Sequence, residues 1–400
     1  MKVMKKGPYY NTRKQKEGHA TMDGIRDFSE HAARRRPWSK AMGVAALKEY
    51  SGLLVSKVQE LTNSIELMWR GVSFDFMGVM TFGHEFGMMQ SGTDVGGLWQ
   101  TIENGTTAAA YISHIPWIFP ILMSLPGADK EMRKMQALGK YCAERRVEKG
   151  SSSKDLFYYL TEEETLNSSK AASGAGDGLL AIIAGSDTAA TALTHIWYFL
   201  LRNPNCLFQL RKEIDETFPV GHETFDFSKQ ADLPYLNACI NEAMRLYPPV
   251  LSGLQRCVEA GGHIICGRYV PENTKVSVHV YTMQRDEREF SPIPNTFWPN
   301  RWLHQDRYML PSGDTITKDQ VSTHRGSFLP FSYGPQNCAG KNLAIMEVRA
   351  VLSAMVQGLD VRVAEKPGFD LHNWEKTIQD VYVTNRGSLF VNVQVRPQLS

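Results

Sequence analysis

The chain holds 400 residues, 42% hydrophobic and 22% charged, an ordinary globular balance with enough apolar side chains for a large core. A net charge of +2 carries no polyelectrolyte signal, so no nucleic-acid partner is expected for the molecule as a whole. Six cysteines without a CxxC pair exclude a disulfide scaffold and argue against a zinc site.

The first fifty residues carry twelve Lys or Arg against five Asp or Glu. Such a stretch is either a solvated basic face or a contact for an acidic protein, anionic lipid or nucleic acid. Residues 1–16 are polar and basic and do not read as a secretory signal. Apolar residues then recur at helical spacing over residues 32–67, and helical patterning dominates from about 30 to 247. The apolar run AAAYISHIPWIFPILMSLP, residues 108–126, contains Pro116 and Pro120 and reads as a surface or interfacial segment rather than a membrane span. Residues 151–154 read as a polar linker. A long helix is predicted over 171–203, stopped by Pro204, with shorter ones over 205–218 and 233–246. After Pro248 and Pro249 the texture changes. HIICGRYV and KVSVHVYT, residues 263–270 and 275–282, read as strands split by the turn Pro271-Glu272-Asn273. Proline-rich coil follows to about Pro330, then a helix over 339–359 and a last strand over 388–395. The predicted class is mainly α with a minor β part, the β-rich segment spanning about 250–400.

Four constellations carry chemistry. FSYGPQNCAG, residues 331–340, sets Cys338 just before a helix, where free amides favour a thiolate. Gly334 can take a positive φ in a tight loop, Gly340 lets a flat group approach, and Phe331 can shield the sulfur. A packed, inert residue is the commoner fate of a single cysteine, but the ten-residue pattern is far more specific. In NEAMRLYPP, Glu242 and Arg245 share one helix face among apolar neighbours, so a buried pair that needs further partners is expected. LLAIIAGSDTAATAL, residues 179–193, is apolar nearly all round yet interrupted by Gly185, Ser186, Asp187 and Thr188. Thr188 can bond back to the carbonyl of Ala184 and bend the helix. In HAARRRPW, His31 and Arg35 lie on one helix face.

These motifs, in this order over essentially the whole chain, resemble the cytochrome P-450 family. The resemblance implies the family's triangular helical prism around a buried haem b, with Cys338 as the iron's axial ligand. It further implies that Asp187 and Thr188 deliver protons to dioxygen, and that Arg301 of FWPNRW completes a structural triad with Glu242 and Arg245. His31, Arg35 and Arg256 would meet the haem propionates. Gln336 stands where the family usually carries Arg or His, and it brings no charge. Ile183, Ala184, Leu251 and Leu254 are the expected substrate contacts. The implied activity is oxygen insertion into a hydrophobic small molecule, with electrons from NADPH through a flavoprotein reductase. Arg34, Arg36 and Lys40 would form its basic docking face. NCAGKNLA and KGPYYNTRK resemble the fungal microsomal type, which implies the cytosolic face of the endoplasmic reticulum membrane. The family's membrane anchor, first helices and most of its larger sheet are expected to precede Met1. Two alternatives stay open: an isomerase or dehydratase of the same fold, and a non-catalytic remnant.

Overall fold

The computed structural model describes residues 4–13, 20–63, 69–150, 154–161, 168–219 and 222–396. The predicted linker therefore falls outside the described residues except for Lys154, as do residues 64–67 of the first helical run.

That run divides into α1 (Phe28–Ala41) and α2 (Val44–Asn63), separated at Met42 and Gly43. Asp27 caps α1 by accepting from the Glu30 amide at 2.9 Å. Next come α3 (Trp69–Phe82), the single turn α4 (Met88–Ser91), α5 (Leu98–His114) and α6 (Phe119–Ser124). The apolar run lies across the end of α5 and α6, and it is exposed: Tyr111, Trp117 and Ile121 keep 66%, 69% and 57% of their surface. The expected surface placement holds, although much of the segment is helical rather than loop.

After α7 (Lys130–Lys149) and α8 (Leu156–Thr161) comes the 35-residue α9 (Ser168–Arg202), which organises the rest. Through its middle most side chains are buried against other helices, while Ile183, Ala184 and Thr188 stay partly open. Among the described residues α9 is long and apolar enough to cross a membrane, but most of that stretch is buried inside the fold. Helix α3 packs so closely that a Cβ on Gly178 would lie 2.3 Å from the Phe82 ring. α10 (Pro204–Thr217), α11 (Phe227–Asp232) and α12 (Pro234–Leu246) follow, with Pro at the first turn of α10 and of α12.

All strands among the described residues lie after Gln255 and form four two-stranded antiparallel sheets. β1 (Arg256–Cys257) pairs with β4 (Lys275–Val276), and the N-terminal segment joins it through the Cys257 amide, which donates to Lys5 O at 2.8 Å. β2 (His263–Ile265) and β3 (Arg268–Val270) form a hairpin that turns at Cys266 and Gly267, so HIICGRYV, which reads as one strand, folds back on itself. The second expected strand is not continuous. Only Lys275 and Val276 pair, and the chain turns into α13 (Val280–Met283). A Cβ on Gly253 would sit 1.7 Å from Val278 O, so this stretch crosses another backbone instead of joining a ladder. β5 (Arg307–Met309) and β6 (Thr315–Thr317) form a hairpin inside what reads as coil. α14 (Lys341–Gly358) leads into β7 (Leu359–Val363), which pairs with β8 (Val391–Val395).

Candidate functional site

The loop before α14 is closed by two turns. The Cys338 amide donates to Phe331 O and the Asn337 amide to Gly334 O, both at 3.0 Å. Gly334 has φ +80°, as its sequence position requires, and Ser332 is also left-handed at +60°. Cys338 keeps open surface towards a cavity, yet the protein around it is dense. Burial pushes the thiol above its usual pKa, against the Gly340 amide bonded to the sulfur and the charges of Arg35 and Lys341. Arg35 of α1 donates to Asn337 O at 2.7 Å and to Asn337 Oδ1 at 3.0 Å, which ties the first helix to this loop.

The cavity holds about 1180 Å³ and has mostly apolar walls. It brings together Cys338, Phe331, Gly334, Gln336 and Gly340 of the loop with His31 and Arg35 of α1, Arg256 of β1, and Leu254. Helix α9 contributes Ile183, Ala184 and Thr188 to the same walls. Thr188 Oγ1 donates to Ala184 O at 2.6 Å, the back-bond expected from the sequence. His31 is buried. Its imidazole pKa is driven down to about 4 by that burial and by Lys6, Arg35 and Arg256, so at neutral pH it offers one N–H and no charge.

Two expected placements, those of Leu251 and Arg34, are corrected. Leu251 does not line the cavity. Along this extended segment Val250, Ser252 and Leu254 face the cavity, while Leu251 points the other way into the core. Asp187 is half-buried and off the cavity wall, because one residue along a helix turns the side chain by about 100° from Thr188. Arg34, expected on the docking face, instead donates from Nε to Asp177 Oδ2 at 2.7 Å, and only Arg36 and Lys40 of that group are exposed.

Glu242, Arg245 and Arg301 meet with no side-chain exposure. Glu242 Oε1 accepts from Arg301 Nε at 3.1 Å and Oε2 from Arg245 Nε at 2.8 Å. The Trp298 amide and the Trp302 indole also donate to this carboxylate, at 3.0 and 2.9 Å. Burial alone would raise the Glu242 pKa, but Arg245 and Arg301 outweigh it and hold the carboxyl below its usual range. Gln284 extends the assembly: its amide nitrogen donates to Arg245 O at 2.9 Å, and its oxygen accepts from the Leu329 amide at 2.7 Å, at the start of the cysteine loop.

Sequence reasoning misses several residues around the cavity. Lys6 and Arg13, counted in the basic N-terminal stretch as surface charge, line it. Arg13 pairs with Asp23 and lies over the rings of Tyr9, Tyr10 and Tyr382. Glu347 of α14 is buried beside the cavity and accepts from Ser73 Oγ of α3 at 2.6 Å. The only hint in the sequence is the strength of the basic bias before residue 50, which does not say which cations turn inward.

The donor set fits a flat, dianionic group carrying a thiophilic metal. Both side-chain amide atoms of Gln336 are sealed from solvent with no partner among the described residues. A Cβ on Gly334 or Gly340 would meet nothing within 4 Å, which leaves open space beside the sulfur. Lys6, Arg35 and Arg256 crowd the same wall, and each lowers the pKa of His31.

A family model described as cytochrome P450 matches residues 21–378. The chain is 32% identical over 381 residues to cytochrome P450 monooxygenase FCK2 of Fusarium pseudograminearum (strain CS3096), covering 90% of this chain and 65% of that protein. It is 32% identical over 393 residues to cytochrome P450 monooxygenase nodW of Hypoxylon pulicicidum, covering 94% and 69%. Cytochrome P450 67 of Uromyces fabae is 31% identical over 398 residues, covering 94% and 72%. The chain thus spans roughly two thirds of the length of these relatives. Among solved structures, a cytochrome P450 designated CYP102L1 has a TM-score of 0.74 at 17% identity, covering 98% of this chain and 85% of that one. The heme domain of cytochrome P450DA has a TM-score of 0.73 at 16% identity, covering 94% and 79%. A family pattern over most of the length, and relatives nearly a third identical over nine tenths of it, make this chain a member of the cytochrome P450 family.

Proposed function

We propose that the chain forms the catalytic part of a haem-thiolate monooxygenase acting on a hydrophobic organic molecule. One substrate C–H bond, dioxygen, NADPH and a proton are consumed, and an alcohol, water and NADP+ are produced; an alkene would give an epoxide instead. The observation that carries this reading is that Cys338 and Thr188 line one apolar-walled cavity. Bound haem supplies a redox-active iron, and a thiolate ligand favours O–O cleavage there.

The residues divide the remaining work. Cys338 holds the iron from a loop whose shape its own backbone bonds fix. Arg35, Arg256 and the neutral His31 serve the propionates, and Gln336 offers its unpartnered amide. Thr188 Oγ1 already donates to Ala184 O, so its free lone pairs accept a proton donor from the cavity side. Asp187, one residue back and off the wall, passes protons from outside the cavity towards Thr188 through water. Ile183, Ala184 and Leu254 hold an apolar substrate and exclude bulk water. Electrons come from NADPH through a flavoprotein reductase, for which exposed Arg36 and Lys40 supply part of a basic docking face. The exposed run from Tyr111 to Leu125 rests at a membrane surface, on the cytosolic side of the endoplasmic reticulum.

The test is the absorption spectrum of the reduced, carbon monoxide-treated protein. A red-shifted Soret band is expected, and Cys338→His abolishes it. Wild-type protein without that band, or a Cys338→His protein that keeps it, overturns the assignment.

A further inference from the structure

Two hydroxyls close together on α9 do opposite things. Thr188 turns its hydroxyl back to Ala184 O at 2.6 Å, and Thr194, further along the helix, does the same to Ala190 O at 2.8 Å. This back-bond is common for a helical hydroxyl, and it competes with the helix ladder and bends it. Ser186 does not follow that pattern. Its hydroxyl donates to Ser73 O on α3 at 3.2 Å, 113 positions away in sequence. Both serines are fully buried.

The place of this bond is what gives it consequence. At about 100° per residue, Ser186 and Thr188 lie on nearly opposite faces of α9. Thr188 lines the cavity with Cys338, and Ser186 is off that wall. The helix is thus anchored from behind at the turn that Thr188 loosens in front. Neighbouring contacts hold the anchor point still. Gly185 leaves room for Met77 of α3: a Cβ there would lie 2.7 Å from the Met77 sulfur. Val72, Phe74 and Phe76, on either side of Ser73, are wholly buried. Ser73 gives its own hydroxyl to Glu347 Oε1 at 2.6 Å, which ties α3 to α14, the helix that follows the cysteine loop. α3 therefore cannot slide along α9 without breaking bonds to both α9 and α14.

We propose that Ser186 is a positioning residue for the oxygen chemistry at Thr188: through Ser73 O it fixes where α9 bends, and so how far the Thr188 hydroxyl reaches into the cavity. This rests on the haem reading above and adds to it a residue that lies off the cavity wall. It gives a role to a polar side chain that faces away from the cavity in an otherwise apolar run. When the bend slips, Thr188 no longer holds its proton donor in place. The two electrons of NADPH then leave with dioxygen: NADPH, a proton and dioxygen give NADP+ and hydrogen peroxide.

The experiment reads two signals from purified holoprotein. One is the C–O stretching band of the reduced protein under carbon monoxide, which senses the polar groups on the Thr188 side. The other is the hydrogen peroxide formed from NADPH with an added flavoprotein reductase and no organic substrate. Thr188→Ala calibrates both. Ser186→Ala is expected to add a second C–O band, because losing one neutral hydrogen bond shifts the ratio of anchored to slipped helix about fivefold. Its peroxide yield should rise in the same direction as in Thr188→Ala, with the thiolate-type haem spectrum kept. Ser73→Ala removes the link to α14 but leaves the carbonyl that Ser186 uses. It should lower thermal stability and move neither signal, which separates positioning from general loosening. Ser186→Ala with either signal at its wild-type value overturns the proposal, and so does a Ser73→Ala that moves both equally. Should Ser186→Ala not accumulate, Ser186→Cys, with a weaker donor, is held to the same criteria. Wild-type protein without a thiolate-type spectrum, or Thr188→Ala without effect on either signal, sinks the functional reading instead. Thr188→Ala that moves both signals beside an unaltered Ser186→Ala sinks only this inference.

Discussion

Glu242 and Arg301 are 59 positions apart in sequence and meet at 3.1 Å, with neither side chain exposed to solvent. Arg301 sits in a 3-10 turn, Pro299–Trp302, and the amide of Trp298 just before that turn also donates to Glu242. One carboxylate on α12 therefore fixes the coil leading to the cysteine loop. Glu242→Ala leaves Arg245 and Arg301 buried without their anion, and breaking such a pair costs about 3–5 kcal/mol. Urea unfolding should show that loss together with little haem-loaded protein. A variant as stable and as fully loaded as wild type would mean the carboxylate is dispensable.

Thr188 belongs to the chemistry rather than to the fold. Its hydroxyl satisfies itself on Ala184 O, so Thr188→Ala leaves no buried donor or acceptor stranded from another element. The expected variant keeps the haem spectrum but diverts several-fold more NADPH into hydrogen peroxide. Product and peroxide are counted per NADPH on one accepted substrate; equal ratios in both proteins remove the proton-handling role.

Glu347 makes stability depend on pH. Burial raises its carboxyl pKa from 4.5 to about 7, only partly offset by the Ser73 hydroxyl. The folded state thus binds this proton more tightly than the unfolded chain does. Its contribution is fully present below about pH 4.5 and is lost as pH rises towards 7, at up to ~1.4 kcal/mol per unit. Glu347→Gln should flatten that slope while keeping the bond from Ser73. Parallel pH profiles of unfolding free energy for the two proteins would show that the carboxyl ionises freely in the fold.

Asp177 clamps α1 onto α9. It accepts from Arg34 Nε at 2.7 Å, Trp38 Nε1 at 3.2 Å and the Met22 amide at 3.0 Å. Asp177→Ala strands the indole and the amide and should cost about 1–3 kcal/mol. Arg34→Met should cost less, because Arg34 retains partial solvent access. Thermal unfolding of the two variants gives the order; the reverse order would place the weight of the clamp on Arg34.

What the sequence reveals depends on whether a feature is local. Helix α9 is legible because its apolar residues leave no polar face and Pro204 ends it. The β5–β6 hairpin is not, since three-residue strands carry too little alternation to separate from coil. The stretch from Lys275 alternates like a strand, but no pairing partner meets it beyond Val276 among the described residues. The cysteine loop is legible because its parts are contiguous, down to the left-handed Gly334. Glu347 is not, because it is defined by Ser73, 274 positions away, and nothing near it distinguishes a buried acid from a surface one. Lys6 is hidden for the same reason: the carbonyls of Met22 and Asp23 that accept from it lie 16 and 17 positions further on.

The cavity wall is drawn from nearly the full length of the chain, from Met4 through α1, α9 and the cysteine loop to Val383. During synthesis the N-terminal part of that wall emerges first and the residues after Cys338 last, so the socket cannot close before the segment reaching Val383 has emerged. Haem capture is then a late event and reports on completed assembly. A nascent chain interrupted before Phe331 has no loop for Arg35 to hold against α1 through Asn337. Cofactor content is therefore a stricter measure of correct folding for this protein than solubility or helix content.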